Sequence, residues 1–320
     1  MKVLVIGGTG LIGSHIVDEL LARGHQVSVL SRNPDRYPHH DQITYIKGDS
    51  TKGIPSSVFD GFDGLVYAAG SDYRELPKGC AWKYFYDRNV VDTANVFANA
   101  AEAGVKRGAF ISSFYHAIRP DYTSHPYISS RRDSEAAVID AVNNRMNVSI
   151  IQPAWVLGTT TGHLNLGEFM FKWSESIWPI IINKGGTNWV SAESLAHATV
   201  TALERGEHGE RYCIGDENRS WQEVTQRLTD KIDRCKKVWV APRINMIISG
   251  YLASGIVRLL GRRSGLIWHR WVKSLMEDAY FDPTPAVEKL GYPVNQVDAA
   301  IDKMAADWMN RSSEKSSSSS

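Results

Sequence analysis

Cysteine, net charge and long apolar runs are all scarce in this sequence. The 320 residues include three cysteines, Cys80, Cys213 and Cys235, which are odd in number and far apart. That pattern argues against a disulfide framework and a zinc site and is typical of a reducing compartment, so we expect a cytoplasmic protein without a metal. The formal net charge of +1 gives no electrostatic reason to expect nucleic acid or an anionic membrane as a partner, because both need concentrated basic surface. Small molecules are the expected partners.

The longest apolar stretch, INMIISGYLASGIVRLL, runs from Ile244 to Leu260 and is interrupted by Asn245, two glycines and Arg258. It lies at the lower length limit for crossing a bilayer. We therefore expect a buried or substrate-capping helix and no stable membrane span, with a membrane-contacting helix as the alternative. The N-terminal MKVLVIGGTG is broken by glycines and is expected to form a first strand rather than a signal peptide.

Short strand-like runs alternate with helical patterns through the first half of the chain. Helices are expected over Ile12–Arg23, near Trp82–Ala103 and over Tyr127–Asn144. The runs between and around them are KVLVIGG, QVSVLSR, ITYIKGD, GLVYAAG, GAFISS and VSIIQPAW. Strands that are apolar on both faces and alternate with helices predict an α/β fold with a doubly wound parallel sheet.

A glycine-rich segment, GGTGLIG, follows the first predicted strand and opens the first helix. Gly8, Gly10 and Gly13 match G-x-G-x-x-G, and Gly7, Gly10 and Gly13 match G-x-x-G-x-x-G. Such glycines permit a tight turn, the close approach of a pyrophosphate and close packing of helix on strand, with the helix N-terminus facing the phosphates. In this context the motif predicts a dinucleotide site; a glycine-rich turn without a ligand is the alternative.

The end of the second strand, LSRNPDR, bears on which dinucleotide binds. Ser31 and Arg32 stand where a carboxylate would bind a ribose with a free 2′-hydroxyl. A guanidinium supported by a hydroxyl suits a 2′-phosphate, so the sequence favours NADP over NAD. The alternative is that Arg32 stacks on adenine or is solvated while Asp35 turns in.

The second half has a different composition, since nine of the ten tryptophans lie from Trp155 onward. They are expected either to line an apolar substrate cavity or to pack an ordinary core. Ser220 and Glu223 form a capping box that predicts a helix from Trp221 to about Ile232. We predict a Rossmann-type dinucleotide-binding domain over residues 1–158, to which later segments return. A smaller mixed substrate domain is expected over residues 159–311 and a disordered tail over residues 312–320.

The order of several segments resembles the extended short-chain dehydrogenases/reductases of the NAD-dependent epimerase/dehydratase superfamily. The segments are GGTGLIG, KGDS, AAG, RNVVDTANVFANAAEAGVKRGAFISS, QPAWVLG and FDPTPAVEKLGY. The resemblance extends to about Arg311 and is most similar to dihydroflavonol reductases, 3β-hydroxysteroid dehydrogenases and nucleotide-sugar epimerases. It also suggests a homodimer formed through the helices near Trp82 and Tyr127.

The resemblance implies roles for individual residues. Asn89 would organise the active site, and Ser113 would hydrogen-bond the substrate carbonyl. The implied cofactor-binding residues are Gly7, Thr9, Gly10, Leu11, Ile12, Gly13, Ser31, Arg32, Asp49, Ser50, Ala68, Ala69, Gly70, Ser112, Tyr127, Arg131, Pro153, Trp155 and Val156.

The segment PYISSRRDSE contains the implied proton donor, Tyr127, and Arg131 four residues later on the same helix face. The family has lysine where this chain has Arg131. A phenol has a pKa of about 10, and we expect the Arg131 cation to lower it. Guanidinium differs from an ammonium in shape, so whether arginine fully replaces lysine stays open. The alternative is an exposed helix start in which Arg131 and Arg132 pair with Asp133 or Glu135.

Two loops at the carboxyl edge of the predicted sheet supply candidate substrate contacts. Asp72 and Tyr73 follow the fourth strand, and Tyr115 and His116 follow Ser113. Ligands of open α/β sheets bind at this edge. His116 is expected either to assist proton transfer or to be a loop residue with local hydrogen bonds.

Together these features predict an NADP-dependent oxidoreductase. It would transfer a hydride between the nicotinamide and a keto or secondary hydroxyl group of a mainly apolar small molecule, with Tyr127 as acid/base. One alternative is a nucleotide-sugar epimerase or dehydratase that retains NAD. Another is a catalytically weakened NADP-binding protein with a regulatory or assembly role.

Overall fold

We describe the protein from a computed structural model, which covers residues 1–34, 41–160, 166–232 and 236–317. Asp35 and Cys235 lie outside these described residues. The strands are β1 (Lys2–Ile6), β2 (Gln26–Ser31), β3 (Ile43–Lys47), β4 (Gly64–Tyr67), β5 (Arg107–Ile111), β6 (Asn147–Pro153), β7 (Trp155–Leu157), β8 (Ile180–Ile182), β9 (Gly186–Ser191), β10 (Arg211–Ile214), β11 (Glu217–Ser220) and β12 (Val238–Val240). The α-helices are α1 (Leu11–Ala22), α2 (Ala81–Tyr86), α3 (Asp92–Glu102), α4 (Tyr115–Ile118), α5 (Pro126–Val142), α6 (Leu166–Glu175), α7 (Ala192–Arg205), α8 (Trp221–Asp230), α9 (Arg243–Leu259), α10 (Trp268–Leu275), α11 (Thr284–Leu290) and α12 (Val297–Ser317).

The predicted doubly wound sheet is confirmed. Within the described residues seven strands form one sheet in the order β10-β6-β5-β4-β1-β2-β3, with parallel pairing throughout. The chain runs outward from β1 to β3 on one side and from β4 to β6 on the other. The strand order therefore reverses between β1 and β4, and their carboxyl ends form the crevice where such sheets bind ligands.

Helices cover both faces of this sheet and explain why its central strands are apolar on both sides. On one face α1 and α7 contribute Ile16, Leu20 and Leu195 to a buried cluster with β1 and β2. On the other face α3 and α5 contribute Phe97 and Val138. Strand β10 adds to the edge beside β6, so part of the second half of the chain belongs to the large sheet.

The predicted helix near Trp82–Ala103 consists of α2, a π-helical turn over Asp87–Val91, and α3. Single π-helical turns are frequent at functional sites, because the extra residue redirects nearby side chains. Asn89 lies in this turn, fully buried.

The second half forms a mixed region with a three-stranded sheet, β11-β9-β7, and a β12-β8 pair among the described residues. The predicted capping box is present, because Ser220 Oγ accepts from the Glu223 N–H at 3.1 Å and Glu223 accepts from the Ser220 N–H at 2.7 Å. The capped helix, α8, ends at Asp230. Helix α12 continues to Ser317, within the segment predicted to lack structure, and residues 318–320 lie outside the described part.

The expectation that the helix over Ile244–Leu260 is buried is wrong for most of that segment, and the substrate-capping alternative stays a prediction. Helix α9 forms there, but Gly250 is its one buried residue. A Cβ atom on Gly250 would lie 2.9 Å from the Cα of His269, so the close contact with α10 uses a narrow strip of α9. Six large apolar side chains of α9 are exposed, whereas Met246, Ile247 and Val257 are partly buried. No helix in the described ranges is long and apolar enough to cross a membrane.

Candidate active site

The glycine-rich loop between β1 and α1 brings three backbone segments into close contact. Gly7 has a φ of +84°, and a Cβ atom there would lie 2.8 Å from the N atom of Ala69. A Cβ on Gly13 would lie 2.1 Å from the carbonyl oxygen of Gly7. Gly10 precedes α1, and no side chain caps that helix. The free N–H groups at the start of α1 thus face the crevice, as a bound pyrophosphate requires.

The ends of β2 and β3 continue the same edge of the sheet. Ser31 ends β2, and the exposed Arg32 follows it. Asp49 caps a short 3-10 helix that begins at Ser50, accepting from the Thr51 N–H at 3.1 Å. Burial acts to raise the pKa of Asp49, but the Thr51 hydrogen bonds and the positive charges of Arg32 and Lys52 hold it below its ordinary value. Arg32 therefore lies within electrostatic reach of the predicted adenosine site.

A cavity lies at the carboxyl edge of the sheet, beside the crevice between β1 and β4. Strand β4 leads into Ala68, Ala69 and Gly70, which line this cavity. The next residue, Ser71, is fixed by the buried Asn89. The Asn89 side-chain oxygen accepts from the Ser71 N–H at 2.9 Å, and its NH₂ group donates to the Ser71 carbonyl at 3.1 Å and to Ser130 Oγ at 3.0 Å. Asn89 thus joins the β4 loop to the first turns of α5.

Tyr127 lies in the first turn of α5 and lines the cavity. Its ring makes edge-on contacts with Tyr73, at 5.8 Å between centroids, and with Phe85, at 6.0 Å. Burial is the largest influence on its pKa and raises it, and the negative charge of Asp72 acts in the same direction. The cations of Arg131 and Arg74 oppose this but do not outweigh it. Arg131 thus lowers the pKa of Tyr127 as expected, but burial raises it by more, so the pKa lies above its ordinary value.

Arg131 is buried, with its guanidinium held by main-chain carbonyls. Its Nη2 donates to the carbonyl oxygens of Ile111, at the end of β5, and of Ser112, the latter at 3.3 Å. A Cβ atom on Gly70 would lie 3.0 Å from Nη1. Its Nε is buried and has no hydrogen-bond partner. The alternative of an exposed helix start, with Arg131 paired to a carboxylate, does not describe this side chain.

An unsatisfied buried donor beside a cavity fits a missing acceptor, such as a ribose hydroxyl of a dinucleotide. The glycine turn provides a second fit, because Gly7 and Gly13 allow close backbone packing and the start of α1 has no side-chain cap, which leaves its N–H groups free for a pyrophosphate. The residues present therefore suit a nicotinamide dinucleotide that extends from the start of α1 to Arg131.

Two serines follow β5 and face different surroundings. Ser113 lines the cavity, and the described hydrogen bonds do not involve its hydroxyl. Ser112 Oγ instead donates to Glu135 Oε1 at 2.6 Å.

Glu135 is the centre of a buried polar network that the sequence analysis considered only as a surface partner of arginine. Its Oε1 accepts from Gln152 at 2.9 Å and lies 2.9 Å from His116 Nε2, and its Oε2 accepts from Arg211 at 2.9 Å. His116 is absent from the cavity lining. The proposed contact of His116 with substrate is therefore not supported, because its ring points toward Glu135 instead.

A cavity of about 290 Å³ lies at the carboxyl edge of the sheet beside the crevice. It collects residues from the predicted cofactor, catalytic and substrate sets. Those lining it are Leu11, Ile12, Ala68, Ala69, Gly70, Asp72, Tyr73, Ser112, Ser113, Tyr115, Tyr127, Arg131, Pro153, Trp155 and Val156. Asn89 is a neighbour of this group through Ser71, and the remaining predicted cofactor residues lie along the glycine loop and the ends of β2 and β3.

Part of the cavity wall comes from α10 and the segment that precedes it, which no sequence motif indicated. Leu266 and Trp271 line the cavity. The carbonyl of Gly265 accepts from the Tyr127 N–H at 2.9 Å, and the Ile267 N–H donates to His125 Nδ1 at 2.9 Å. The sequence signal was limited to the apolar and tryptophan-rich composition of this region.

Aromatic side chains form part of the cavity wall, namely those of Tyr73, Phe114, Tyr115, Tyr127, Trp155 and Trp271. Trp155 Nε1 donates to the Tyr115 hydroxyl, and the Tyr115 ring lies 5.0 Å from that of Trp271. Burial raises the pKa of Tyr115 and of Tyr73 well above the ordinary range, so both phenols are neutral at neutral pH. In the described part of the chain, His, Cys, Asp and Glu side chains form no cluster of three or more suited to a metal ion.

Comparisons with known proteins agree with this arrangement. The NAD dependent epimerase/dehydratase family matches residues 3–215. A Synechocystis sp. (strain PCC 6803) protein named "Putative dihydroflavonol 4-reductase" is 26% identical over 93% of this chain and 91% of its own. A Mycobacterium tuberculosis (strain CDC 1551) protein named 3 beta-hydroxysteroid dehydrogenase/Delta 5-->4-isomerase is 34% identical over 35% of this chain and 31% of its own. The solved structure of gox2253 has the same fold, with a TM-score of 0.78 at 22% identity over 97% of this chain and 98% of its own.

The family match spans β1 to the end of β10, which includes the glycine loop, Asn89, Ser113 and Tyr127. The chain belongs to the NAD dependent epimerase/dehydratase family, whose members are NAD(P)-dependent enzymes of the extended short-chain dehydrogenase/reductase type.

Proposed function

We propose that the protein is an NADP-dependent oxidoreductase that transfers a hydride between the nicotinamide and a keto or secondary hydroxyl group of a mainly apolar small molecule. The observation that carries this proposal is that Tyr127 and Ser113 line the same cavity, together with aromatic and aliphatic residues. A phenol and a hydroxyl in one cavity can both serve a substrate carbonyl oxygen. The aromatic and aliphatic lining residues suit an apolar substrate body.

The proton is supplied by Tyr127. Reduction of a ketone forms a C–H bond at the carbonyl carbon and leaves an alkoxide, whose oxygen takes the phenolic proton. The bound nicotinamide would supply or accept the hydride. The pKa of Tyr127 lies above its ordinary value because of burial, so the phenol is protonated at neutral pH.

Ser113 and Arg131 assist in different ways. The Ser113 hydroxyl can donate to the substrate carbonyl, which fixes the oxygen beside Tyr127 and polarises the bond. Arg131 carries a buried positive charge beside the phenol, and that charge stabilises the phenolate left after proton donation. Its contacts with main-chain carbonyls hold the guanidinium in place without neutralising it.

A neutral, apolar substrate is supported by the pairing of the charged groups around the cavity. The charged residues lining it are Asp72, Arg74 and Arg131. Arg74 forms two hydrogen bonds with Asp72, at 2.8 and 3.2 Å, so these charges compensate each other. A nucleotide sugar carries a diphosphate that needs cations with free donors. The described lining therefore favours a reductase over a nucleotide-sugar epimerase.

The choice of NADP depends on Ser31 and Arg32 at the end of β2. The exposed guanidinium and the neighbouring hydroxyl can both donate to a 2′-phosphate. The charge of Arg32 reaches Asp49, which the proposal assigns to the adenine side of the same site.

A screen of carbonyl substrates with each of the two reduced cofactors tests this function. The purified protein is mixed with NADPH or NADH and a series of ketones and aldehydes of increasing apolar size, and loss of reduced cofactor is followed. The proposal expects turnover with NADPH that improves with apolar size. Tightly retained oxidised NAD with turnover of nucleotide sugars alone would favour the epimerase, and NADPH binding without turnover would favour the regulatory alternative.

A further inference from the structure

Helix α9 presents an apolar surface to solvent although its sequence is typical of a buried helix. Its outward residues recur at intervals of three and four, which places them on one face. They are Ile244, Ile248, Tyr251, Leu252, Ile256 and Leu259, each at least half exposed. The opposite strip contacts α10 around Gly250. The apolar face of α9 is thus exposed to solvent, and only the strip around Gly250 packs against α10.

The strand before α9 extends the same kind of surface. Trp239 in β12 is 55% exposed and is paired in register with Ile181 of β8, which is also exposed. The ammonium group of Lys237 lies 4.7 Å from the centre of the Trp239 ring. Tryptophan and tyrosine beside lysine are typical of the interface between a membrane and water, where apolar rings and cations both find partners.

The charged residues of the sequence segment that contains α9 are all basic. From Lys236 to Met276 the sequence contains three lysines and five arginines and neither aspartate nor glutamate. Ion pairs among the described residues involve none of these eight cations. The surface is therefore apolar at its centre and basic around it, although the whole chain is nearly neutral.

A basic recess of about 800 Å³ lies beside α9 and gives a second, separate observation. Its unpaired cations are Arg243, Arg270 and Lys273, with His269 stacked on Tyr251 at 4.6 Å. The acidic residues on its wall, Asp121 and Glu277, are both bound by Arg119, the former at 3.0 Å. The net charge of the residues lining the recess is therefore positive, and the volume of the recess suits a phosphodiester headgroup.

We propose that α9 and β12 form a docking surface for the anionic leaflet of a phospholipid bilayer. The apolar face would lie in the interface plane, and the surrounding arginines and lysines would contact lipid phosphates. A second copy of this chain fits less well, because a two-fold contact through this face would bring the same cations together. The surface concerns location rather than chemistry, so it does not depend on the substrate class proposed above.

The docking surface is directly connected to the active-site cavity. After α9 the chain passes through Gly261 to Gly265, whose carbonyl binds the Tyr127 N–H, and then to Leu266 in the cavity wall. Docking would therefore hold one wall of the cavity near the lipid phase, from which an apolar molecule could enter.

Vesicle binding without turnover tests the proposal. The full chain is sedimented with vesicles of phosphatidylcholine alone or of equal parts phosphatidylcholine and phosphatidylglycerol. We expect binding to the anionic vesicles that weakens with salt. Leu252→Glu should lower the partition constant about tenfold or more. Arg243→Gln and Arg258→Gln should each lower it about fivefold. These residues are exposed, and far-ultraviolet circular dichroism checks that each variant is folded.

Matched controls are Met309→Glu, at an exposed apolar residue of α12, and Arg145→Gln, at an exposed arginine outside the basic segment. Both should leave vesicle binding unchanged. Equal binding to neutral and anionic vesicles, no binding to either, or equal loss in the controls would overturn the proposal. A dimer that Leu252→Glu dissociates, without vesicle binding, would assign the face to a second copy and also overturn it.

Discussion

The carbonyl oxygen of Gly265 accepts a hydrogen bond of 2.9 Å from the backbone N–H of Tyr127. That N–H belongs to the first turn of α5 and has no partner within the helix. A residue from the segment between α9 and α10 therefore completes the start of the helix that carries the proposed proton donor. The position of Tyr127 depends on a contact between two distant parts of the chain.

Gly265→Ala should impair catalysis because the position has no room for a side chain. A Cβ atom there would lie 2.6 Å from Cζ of Phe85 and 3.0 Å from Cβ of Tyr127. We expect kcat/KM to fall roughly tenfold to a hundredfold, with NADPH affinity nearly unchanged. Gly255→Ala in α9 is the matched control, since nothing lies within 4 Å of its Cβ position. Equal kinetics for the two variants would show that the contact does not position Tyr127.

Arg131→Lys should lower both the stability of the protein and its affinity for NADPH, although lysine is usual in the family. One ammonium cannot reproduce the contacts with the carbonyls of Ile111 and Ser112, and it lacks the buried Nε–H that has no partner within the described part of the protein. We expect a lower melting temperature and roughly tenfold weaker NADPH binding, measured by fluorescence titration. A gain in kcat with unchanged affinity would mean that arginine is a defect at this position.

Arg32→Asp should reverse the preference between the two dinucleotides. The substitution removes the cation proposed to bind the 2′-phosphate and supplies an acceptor for a ribose hydroxyl. We expect NADPH affinity to fall about tenfold to a hundredfold while NADH affinity rises, as judged by paired titrations. Arg145→Asp changes the net charge equally at an exposed site elsewhere and should alter neither. Unchanged NADPH affinity in Arg32→Asp would remove Arg32 from the cofactor site.

Glu135→Gln should destabilise the fold in a pH-dependent way. Burial acts to raise the pKa of Glu135, but hydrogen bonds and charge from His116, with hydrogen bonds from Ser112 and Gln152, hold it below its ordinary value. A depressed folded-state pKa stabilises the protein above the unfolded value of about 4.3, and this contribution is lost as pH falls through the folded value.

We therefore expect Glu135→Gln to lower the free energy of unfolding by about 2 kcal/mol at neutral pH, with a difference that shrinks on acidification. Urea unfolding from about pH 7 to about pH 3 measures this. Glu210→Gln breaks an exposed pair with Lys289 and should change stability by less than about 1 kcal/mol. A difference for Glu135→Gln that grows on acidification would contradict the assigned pKa direction.

The parts of the site that depend on local sequence could be predicted. Gly7, Gly10 and Gly13 form the expected turn because its geometry requires glycine at fixed spacing from β1. Ser220 and Glu223 form the expected cap because their spacing of three residues lets each side chain bind the backbone N–H of the other. These features depend on neighbours in the chain, which a sequence displays directly.

The parts that depend on distant contacts could not be predicted. Gly265 and Leu266 reach Tyr127 and the cavity only because the segment between α9 and α10 packs against the start of α5. The pKa of Tyr127 depends on how much of the ring is buried, which the spacing to Arg131 does not reveal. The apolar run in α9 was expected to be buried, but the sequence could not show that α10 covers only a narrow strip of it.

The proposed role of Tyr127 as the proton donor is tested by single-turnover kinetics of Tyr127→Phe. The substitution removes one hydroxyl and keeps the ring that contacts Tyr73 and Phe85. Tyr86→Phe, at an exposed tyrosine outside the cavity, is the matched control. We predict that Tyr127→Phe binds NADPH normally but reduces the carbonyl substrate at least about a hundredfold more slowly, while Tyr86→Phe is unaffected. An unchanged reduction rate in Tyr127→Phe would show that Tyr127 is not the proton donor.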